Sequence, residues 1–224
     1  MAGGITFANA SIIMQGDAHL LTRKRIRDMA TANTREDCLT ILQECGYQTN
    51  FTDDDELLDA AHQQTLIIFK DLCEDSALLA CVQAMSQLNE NNTQPIFAIL
   101  STQIPLVKTA SIRKYLTTWV DLINVRNFYK GSDIVFPGGS LQANQLDIFP
   151  HSSAEQREDL IQERLDALGE VDKDDIFKPN PLFWWYLQRE KELIIIKAIL
   201  ISKRFNYDVT WLRENLRGLY EQFQ

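Results

Sequence analysis

Glycine and proline are scarce in this sequence, nine and six among 224 residues. Folds made of many short strands spend those residues on their turns. With few alternating β-branched runs besides, the shortage argues against an all-β chain and for an all-α one. Basic charge is short as well. Twenty-two Lys and Arg face 31 Asp and Glu, a net charge of -9, which disfavours a polyanion such as DNA or RNA as the main partner. Histidine is rarer still: His19, His62 and His151 are scattered and form no HxxxH pair. The four cysteines, Cys38, Cys45, Cys73 and Cys81, stand seven and eight residues apart within each pair. That is neither a CxxC dithiol nor a zinc spacing, so they read as reduced thiols buried in helices. No uninterrupted apolar run reaches the roughly 20 residues a bilayer span needs. The first 14 residues also lack the basic region and long apolar core of a signal peptide. A cytoplasmic location is the expectation, and no cofactor is implied.

What is present is ordinary for a folded chain: 45 % hydrophobic and 24 % charged residues. At this length such a chain buries roughly 70 % of its unfolded surface without disulfides. An all-α helical bundle of about two related units is predicted. The polar run Asn89-Glu90-Asn91-Asn92-Thr93 is the clearest linker and divides the chain into residues 1–90 and 91–224.

The densest apolar stretch begins at Pro181, with Pro179 and Pro181 suited to the start of a helix. Leu193, Ile196, Ile199 and Leu200 recur at helical spacing, and Ile194, Ile195 and Ile201 fill most other directions. Gln188, Arg189, Glu190, Lys191 and Glu192 supply a polar face. A helix this apolar is expected to be surrounded by other helices.

Upstream, residues 9–32 read as one or two helices, with Leu20, Leu21 and Met29 inward. The cluster Arg23, Lys24, Arg25 and Arg27 is either a solvated face or a contact for an acidic partner surface. Thr34-Arg35-Glu36-Asp37 opens a helix that carries Leu39 and Leu42 and stops at Gly46. Asp53-Asp54-Asp55-Glu56 places four acids at the positive end of the next helix; it lacks the glycine and spaced ligands of a calcium loop. Leu57, Leu58, Ala61, Ile68, Phe69 and Leu72 form that helix's apolar side. A helix is expected at 76–88, and 95–106 reads as a short helix or a buried strand. A further helix spans 112–130, with Leu116, Trp119, Val120, Ile123 and Asn127 on one side. Asp121 and Asn124 share another face, where polar groups are expected to bond a helix terminus or loop. Phe136-Pro137-Gly138-Gly139-Ser140 is a sharp turn without the GxxxxGK[ST] phosphate loop. Ser152-Ser153-Ala154-Glu155 reads as a capping box for a helix to Leu168, and 169–175 as an acidic hinge. Asp208 can cap a last helix with Trp211, Leu212, Leu216 and Leu219 inward.

An internal echo links two of these helices. Tyr115, Leu116 and Asp121-Leu122-Ile123-Asn124-Val125-Arg126 align, 71 positions apart, on Tyr186, Leu187 and Glu192-Leu193-Ile194-Ile195-Ile196-Lys197. Acid meets acid and base meets base, the mark of one supersecondary unit used twice.

Taken together, these residues resemble a known family, the C-type coupling proteins of archaeal and bacterial V-type ATPases, whose vacuolar counterparts are called d-type. Tyr186-Leu187, Glu190, Glu192, Ile196, Lys197, Lys203, Asn206, Leu212, Leu216 and Leu219-Tyr220 are similar to that family's C-terminal signature. Asp121-x-x-Asn124 with Phe136-Pro-Gly-Gly-Ser-Leu141 resembles its internal helix and turn. Leu20-Leu21-Thr22 and Cys38-Leu39…Leu42…Gly46-Tyr47 resemble its opening repeat. Family members are usually longer, with three helical units around a funnel; this chain has sequence for about two.

The resemblance implies a non-catalytic part of the rotor, joining central-stalk subunits to the membrane proteolipid ring and transmitting torque for ion transport. It implies no catalytic residue, metal or cofactor, no nucleic-acid partner and no membrane span of its own. Candidate partner contacts, chosen by charge, are Arg23, Lys24, Arg25 and Arg27, and Lys203, Arg204, Arg213 and Arg217. A free-standing helical adaptor is the second reading. An enzyme is the third, with Asp121, Glu190, Glu192 and His151 as its carboxylate and histidine candidates.

Overall fold

The computed structural model describes residues 20–89, 91–129, 131, 134–141, 180–208 and 210–212. Residues 9–19, the capping box at Ser152, the hinge at 169–175, His151, Arg213, Leu216, Arg217 and Leu219 lie outside the described residues. Those that are described form helices and turns, with no strand among them. The helices are α1 (Arg23–Thr31), α2 (Arg35–Glu44), α3 (Asp54–Leu72), α4 (Ser76–Ser86), α5 (Thr93–Gln103), a 3₁₀ turn (Ile104–Leu106), α6 (Ala110–Tyr129) and α7 (Asn180–Arg204).

The chain divides into two compact units, but not at residue 90. A middle unit comprises residues 1–8 and 72–184, and a terminal unit residues 9–71 and 185–224. The run at 89–93 is polar because its side chains close a turn, not because it is a loose linker. Asn92 accepts from the Asn89 N–H at 2.8 Å and donates to the Gln87 carbonyl at 2.6 Å, and the Thr93 hydroxyl donates to the Asn89 carbonyl at 2.8 Å. The helices on either side of it, α4 and α5, pack together within the middle unit.

In the terminal unit, local signals set the helix starts. Thr22 caps α1, accepting from the Arg25 N–H at 3.3 Å. Thr34 and Asp37 form a reciprocal capping box on α2, each bond 3.1 Å. That helix ends at Gly46, whose φ of 86° is the left-handed value a helix terminus favours in glycine. Asp54, Asp55 and Glu56 occupy the first turn of α3. Asp54 is buried there and accepts from Arg35 Nε at 2.7 Å.

Each helix then turns an apolar stripe inward: Ile26, Met29 and Ala30 from α1, Cys38 and Leu42 from α2, Leu57, Leu58, Ala61 and Phe69 from α3. Most of them meet Leu193, Ile195, Ile196, Ile199 and Leu200 of α7 in one cluster. Full burial of each such aliphatic side chain contributes about 1.5–3 kcal/mol. Helix α7 is not enclosed on all sides, however. Ile194 is 52 % exposed, and with Glu190, Lys197, Ile201 and Arg204 it forms an accessible stripe at three- and four-residue spacing. Of Ile194, Ile195 and Ile201, which fill the helix's other directions, Ile195 is buried as expected, whereas Ile194 and Ile201 belong to that stripe.

In the middle unit, Asp75 caps α4 by accepting from the Ala77 and Leu78 N–H groups at 3.1 and 3.2 Å. Its second oxygen takes the Lys108 N–H at 2.9 Å. The segment after residue 93 is helix rather than strand: Ile96, Phe97, Leu100 and Ile104 are buried at helical spacing. On α6 the fully buried apolar line is Ile112, Leu116 and Val120, while Trp119, Ile123 and Asn127 are half-buried at its margin. Phe97 stacks between Phe136, 4.3 Å away, and Trp119, 6.0 Å away.

Because the capping box is local and solvent-facing, Thr34→Ala should cost about 1 kcal/mol of stability. A urea titration of the full chain reads this as a lowered midpoint with an unchanged slope.

Candidate functional site

Of the four buried acids among the described residues, Asp121 in the middle unit and Glu192 in the terminal unit are the least exposed. In the middle unit, Asp121 and Asn124 stand three residues apart on α6 and both have no exposed surface. Asn124 treats Phe136 as a peptide partner, accepting from its N–H at 2.7 Å and donating to its carbonyl at 3.0 Å. Asp121 Oδ1 accepts from the Ser140 and Leu141 N–H groups at 2.7 and 2.9 Å, and Oδ2 accepts from the Ser140 hydroxyl at 2.5 Å. The turn between those anchors is moulded on the carboxylate. A Cβ at Gly139 would lie 2.3 Å from Asp121 Oδ1, and one at Gly138, where φ is 103°, would lie 3.3 Å from the Ser101 backbone. The Gly-Gly pair is therefore a requirement of close approach and left-handed backbone together. The turn expected at Phe136-Pro-Gly-Gly-Ser, and the loop partner expected for Asp121 and Asn124, are one structure.

The terminal unit repeats the device with Glu192, 2 % exposed on α7. Its Oε2 accepts from the Leu21 N–H at 2.6 Å. Its Oε1 accepts from the Tyr47 hydroxyl and from Arg189 Nη1, the latter at 2.5 Å. The same guanidinium donates to the Tyr47 oxygen at 2.7 Å and sits 5.0 Å from the centre of its ring. Burial pushes the Glu192 carboxyl above its ordinary range, opposed by the Arg189 charge and the Tyr47 and Leu21 hydrogen bonds. Burial, with the Glu192 charge, pushes the Tyr47 phenol up.

Glu192 and Arg189 thus leave the polar face assigned to them and point inward. The echo in the sequence carries the reason. Asp121 and Glu192 are the aligned acids, and each accepts the backbone N–H of a buried leucine, Leu141 in one unit and Leu21 in the other. Buried Thr118 stands where the echo places Arg189.

Beside this centre, His62 Nδ1 of α3 lies 2.9 Å from Glu190 Oε1 of α7. That hydrogen bond, against the cost of burial, raises the imidazole above its usual value. A shallow depression of about 300 Å³ lies nearby, lined by Tyr47, Gln48, Leu57, Gln63 and Gln64 among others.

The basic candidates are placed as follows. Arg23, Lys24 and Arg27 are exposed on α1, and Arg25 pairs with Glu44 at 2.9 Å. Lys203 spends its ammonium on the Ala30 carbonyl at 2.7 Å, closing the C-terminal end of α1. Arg204 is exposed, its guanidinium 6.0 Å from the Phe205 ring centre. Lys203 therefore meets α1 at the opposite end from Arg23 and Lys24. Among the described residues, no group of three or more His, Cys, Asp or Glu is disposed to hold a metal ion. Of the carboxylates considered for chemistry, Asp121 and Glu192 are committed to backbone amides and Glu190 to His62. Sequence reasoning missed Tyr47 and Arg189 as partners of Glu192; the three-residue spacing from Arg189 to Glu192 was the available signal.

No protein-family model matches this chain, and no curated protein or solved structure shows significant similarity to it.

Removing the Glu192 carboxylate strands a buried guanidinium and the Leu21 N–H. Glu192→Ala should therefore cost about 3–5 kcal/mol, and Glu192→Gln, which keeps an acceptor for Leu21, less. Urea denaturation at neutral pH measures both. The His62–Glu190 pair sets a pH dependence of the opposite sense to an ordinary paired acid. With the folded histidine raised above 6.5, its contribution is complete below that value and is lost as pH rises through the folded value. The stability gap between the wild type and His62→Gln should narrow between pH 5.5 and pH 8.5, as followed by the urea midpoint.

Proposed function

We propose that this chain is a non-catalytic coupling subunit of a V-type rotary ATPase. In that role it links central-stalk subunits to the membrane proteolipid ring and transmits torque for ion transport. One observation carries the reading. The residues through which the sequence resembles the C-type coupling family include Tyr47, Asp121, Asn124, the Phe-Pro-Gly-Gly-Ser turn and Glu192. These same residues are engaged in buried polar anchoring. A spacer loaded by torque needs segments that resist sliding on one another. Carboxylates bonded to remote backbone amides give directional resistance that apolar packing alone lacks. The all-helical build suits a stiff part of such a machine. No helix among the described residues is long and apolar enough to cross a membrane, so attachment would be peripheral, through the other subunits. The exposed Arg23, Lys24, Arg27 and Arg204 are the charges placed to steer docking.

The tagged chain, recovered from gently solubilised membranes of its own organism, should bring proteolipid-ring and central-stalk subunits with it. The combined change of Arg23, Lys24, Arg27 and Arg204 to Glu should lower that recovery several-fold and leave the thermal midpoint close to that of the wild type. Recovery of soluble proteins alone, from cells that make the ATPase, would sink the coupling role and favour a free-standing adaptor.

A further inference from the structure

Helix α7 leaves one strip of its surface uncovered in the terminal unit, and the strip has a seven-residue period. Leu187, Ile194 and Ile201 stand seven apart, and three residues after each comes a charge: Glu190, Lys197 and Arg204. Alternating steps of three and four keep all six in line along one side of a helix, the arrangement of a coiled-coil seam. The six are accessible. Ile194 is 52 % exposed, Lys197 and Arg204 are exposed, and Leu187, Glu190 and Ile201 are half-buried. Phe205, 58 % exposed, extends the apolar strip past the helix end. The aliphatic residues give the seam its apolar content and the charges give it a direction, an acid toward the N-terminal end and two bases toward the C-terminal end.

We propose that this strip is a self-association seam, occupied by the α7 strip of a second copy of this chain running antiparallel to it. The order of charges selects that occupant. A helix acidic or basic throughout would match one end of the seam and oppose the other. A parallel copy would set like charge against like at all three charged positions. A copy turned end for end about a two-fold axis midway between Ile195 and Ile196 meets neither objection. Ile194 then lies against the partner's Lys197, Ile201 against the partner's Glu190, and Leu187 against the partner's Arg204. Each aliphatic residue packs on the carbon stem of a charged one. Glu190, opposite the partner's Ile201, has the partner's Lys197 on one side and the partner's Arg204 on the other. The Lys197 ammonium already pairs with Asp55 of its own chain at 2.8 Å; that pair is exposed, and a three-donor ammonium accommodates a second acid beside it. Two helices alone bury less than a standard interface, so the dimer is weak and reversible.

Sedimentation velocity of the purified full chain, from low to high micromolar concentration, tests it; no other subunit is present, so the outcome is independent of the coupling role. The wild type should move toward twice the monomer mass as concentration rises. The sign of an introduced charge then reads the register. Ile201→Glu sets an acid against the partner's Glu190, and Ile194→Lys sets a base against the partner's Lys197; each should weaken the dimer about tenfold or more. Ile201→Lys and Ile194→Glu lose the same aliphatic surface but face the opposite charge, so each should bind several-fold tighter than its counterpart. Net charge cannot imitate this pattern, because the favoured sign is positive at 201 and negative at 194. Unchanged circular-dichroism melting curves show that the variants are folded. A wild type that stays monomeric throughout would overturn the proposal, as would a dimer that either charge at one position weakens equally.

Discussion

An ionised carboxylate removed from water must find its hydrogen-bond donors in the protein, and the donors it finds fix whatever carries them. This constraint acts on Asp75, whose oxygens take the Ala77, Leu78 and Lys108 amides, and again at two further acids. Asp121 takes the amides at Ser140 and Leu141, and Glu192 takes the amide of Leu21, 171 residues away in sequence. Bonds to charged groups contribute roughly 1.5–3 kcal/mol each, against a penalty of similar size for any donor left unpaired. The consequence is geometric as much as energetic. The course of the chain at 136–141, the glycine at 139 and the inward turn of Tyr47 all follow from where those two carboxylates sit.

The two sites solve the same problem with different chemistry. Asp121 is short and is satisfied by backbone and one hydroxyl, so the backbone must come to it, and a glycine is needed to permit the approach. Glu192 is longer and shares its site with a guanidinium and a phenol. There the acid and Arg189 neutralise each other, and the aromatic ring covers the cation. The shared element is the leucine amide: the bond common to both units is the one made to the backbone, and the side-chain partners differ around it.

Local features of this fold were readable from the sequence because their causes are local. The capping box at Thr34 and Asp37, the stop at Gly46 and the acids opening α3 each depend on neighbours within a turn. The Pro-Gly-Gly turn was legible as a turn, though nothing in its own residues named Asp121 as the reason for Gly139. Glu192 was misassigned to the wet face because a run of Gln, Arg, Glu, Lys and Glu reads the same whether or not one member turns inward; only the echo with Asp121 distinguishes it. The boundary at 89–93 failed for a related reason. Asparagine-rich polarity marks a hydrogen-bonded turn as readily as a linker, and composition along a chain cannot report a unit assembled from two distant segments.

That discontinuity has a consequence for synthesis. The terminal unit draws on residues 9–71 and 185–224, so on a ribosome its early helices emerge long before α7 arrives to cover them. Ile26, Met29, Leu42 and Leu57 must wait with their apolar faces open, and the Leu21 amide without its acceptor, while the middle unit already has α4, α5 and α6 in hand. A chain built this way is exposed to aggregation during translation rather than after it, and the vulnerable interval is set by elongation rate.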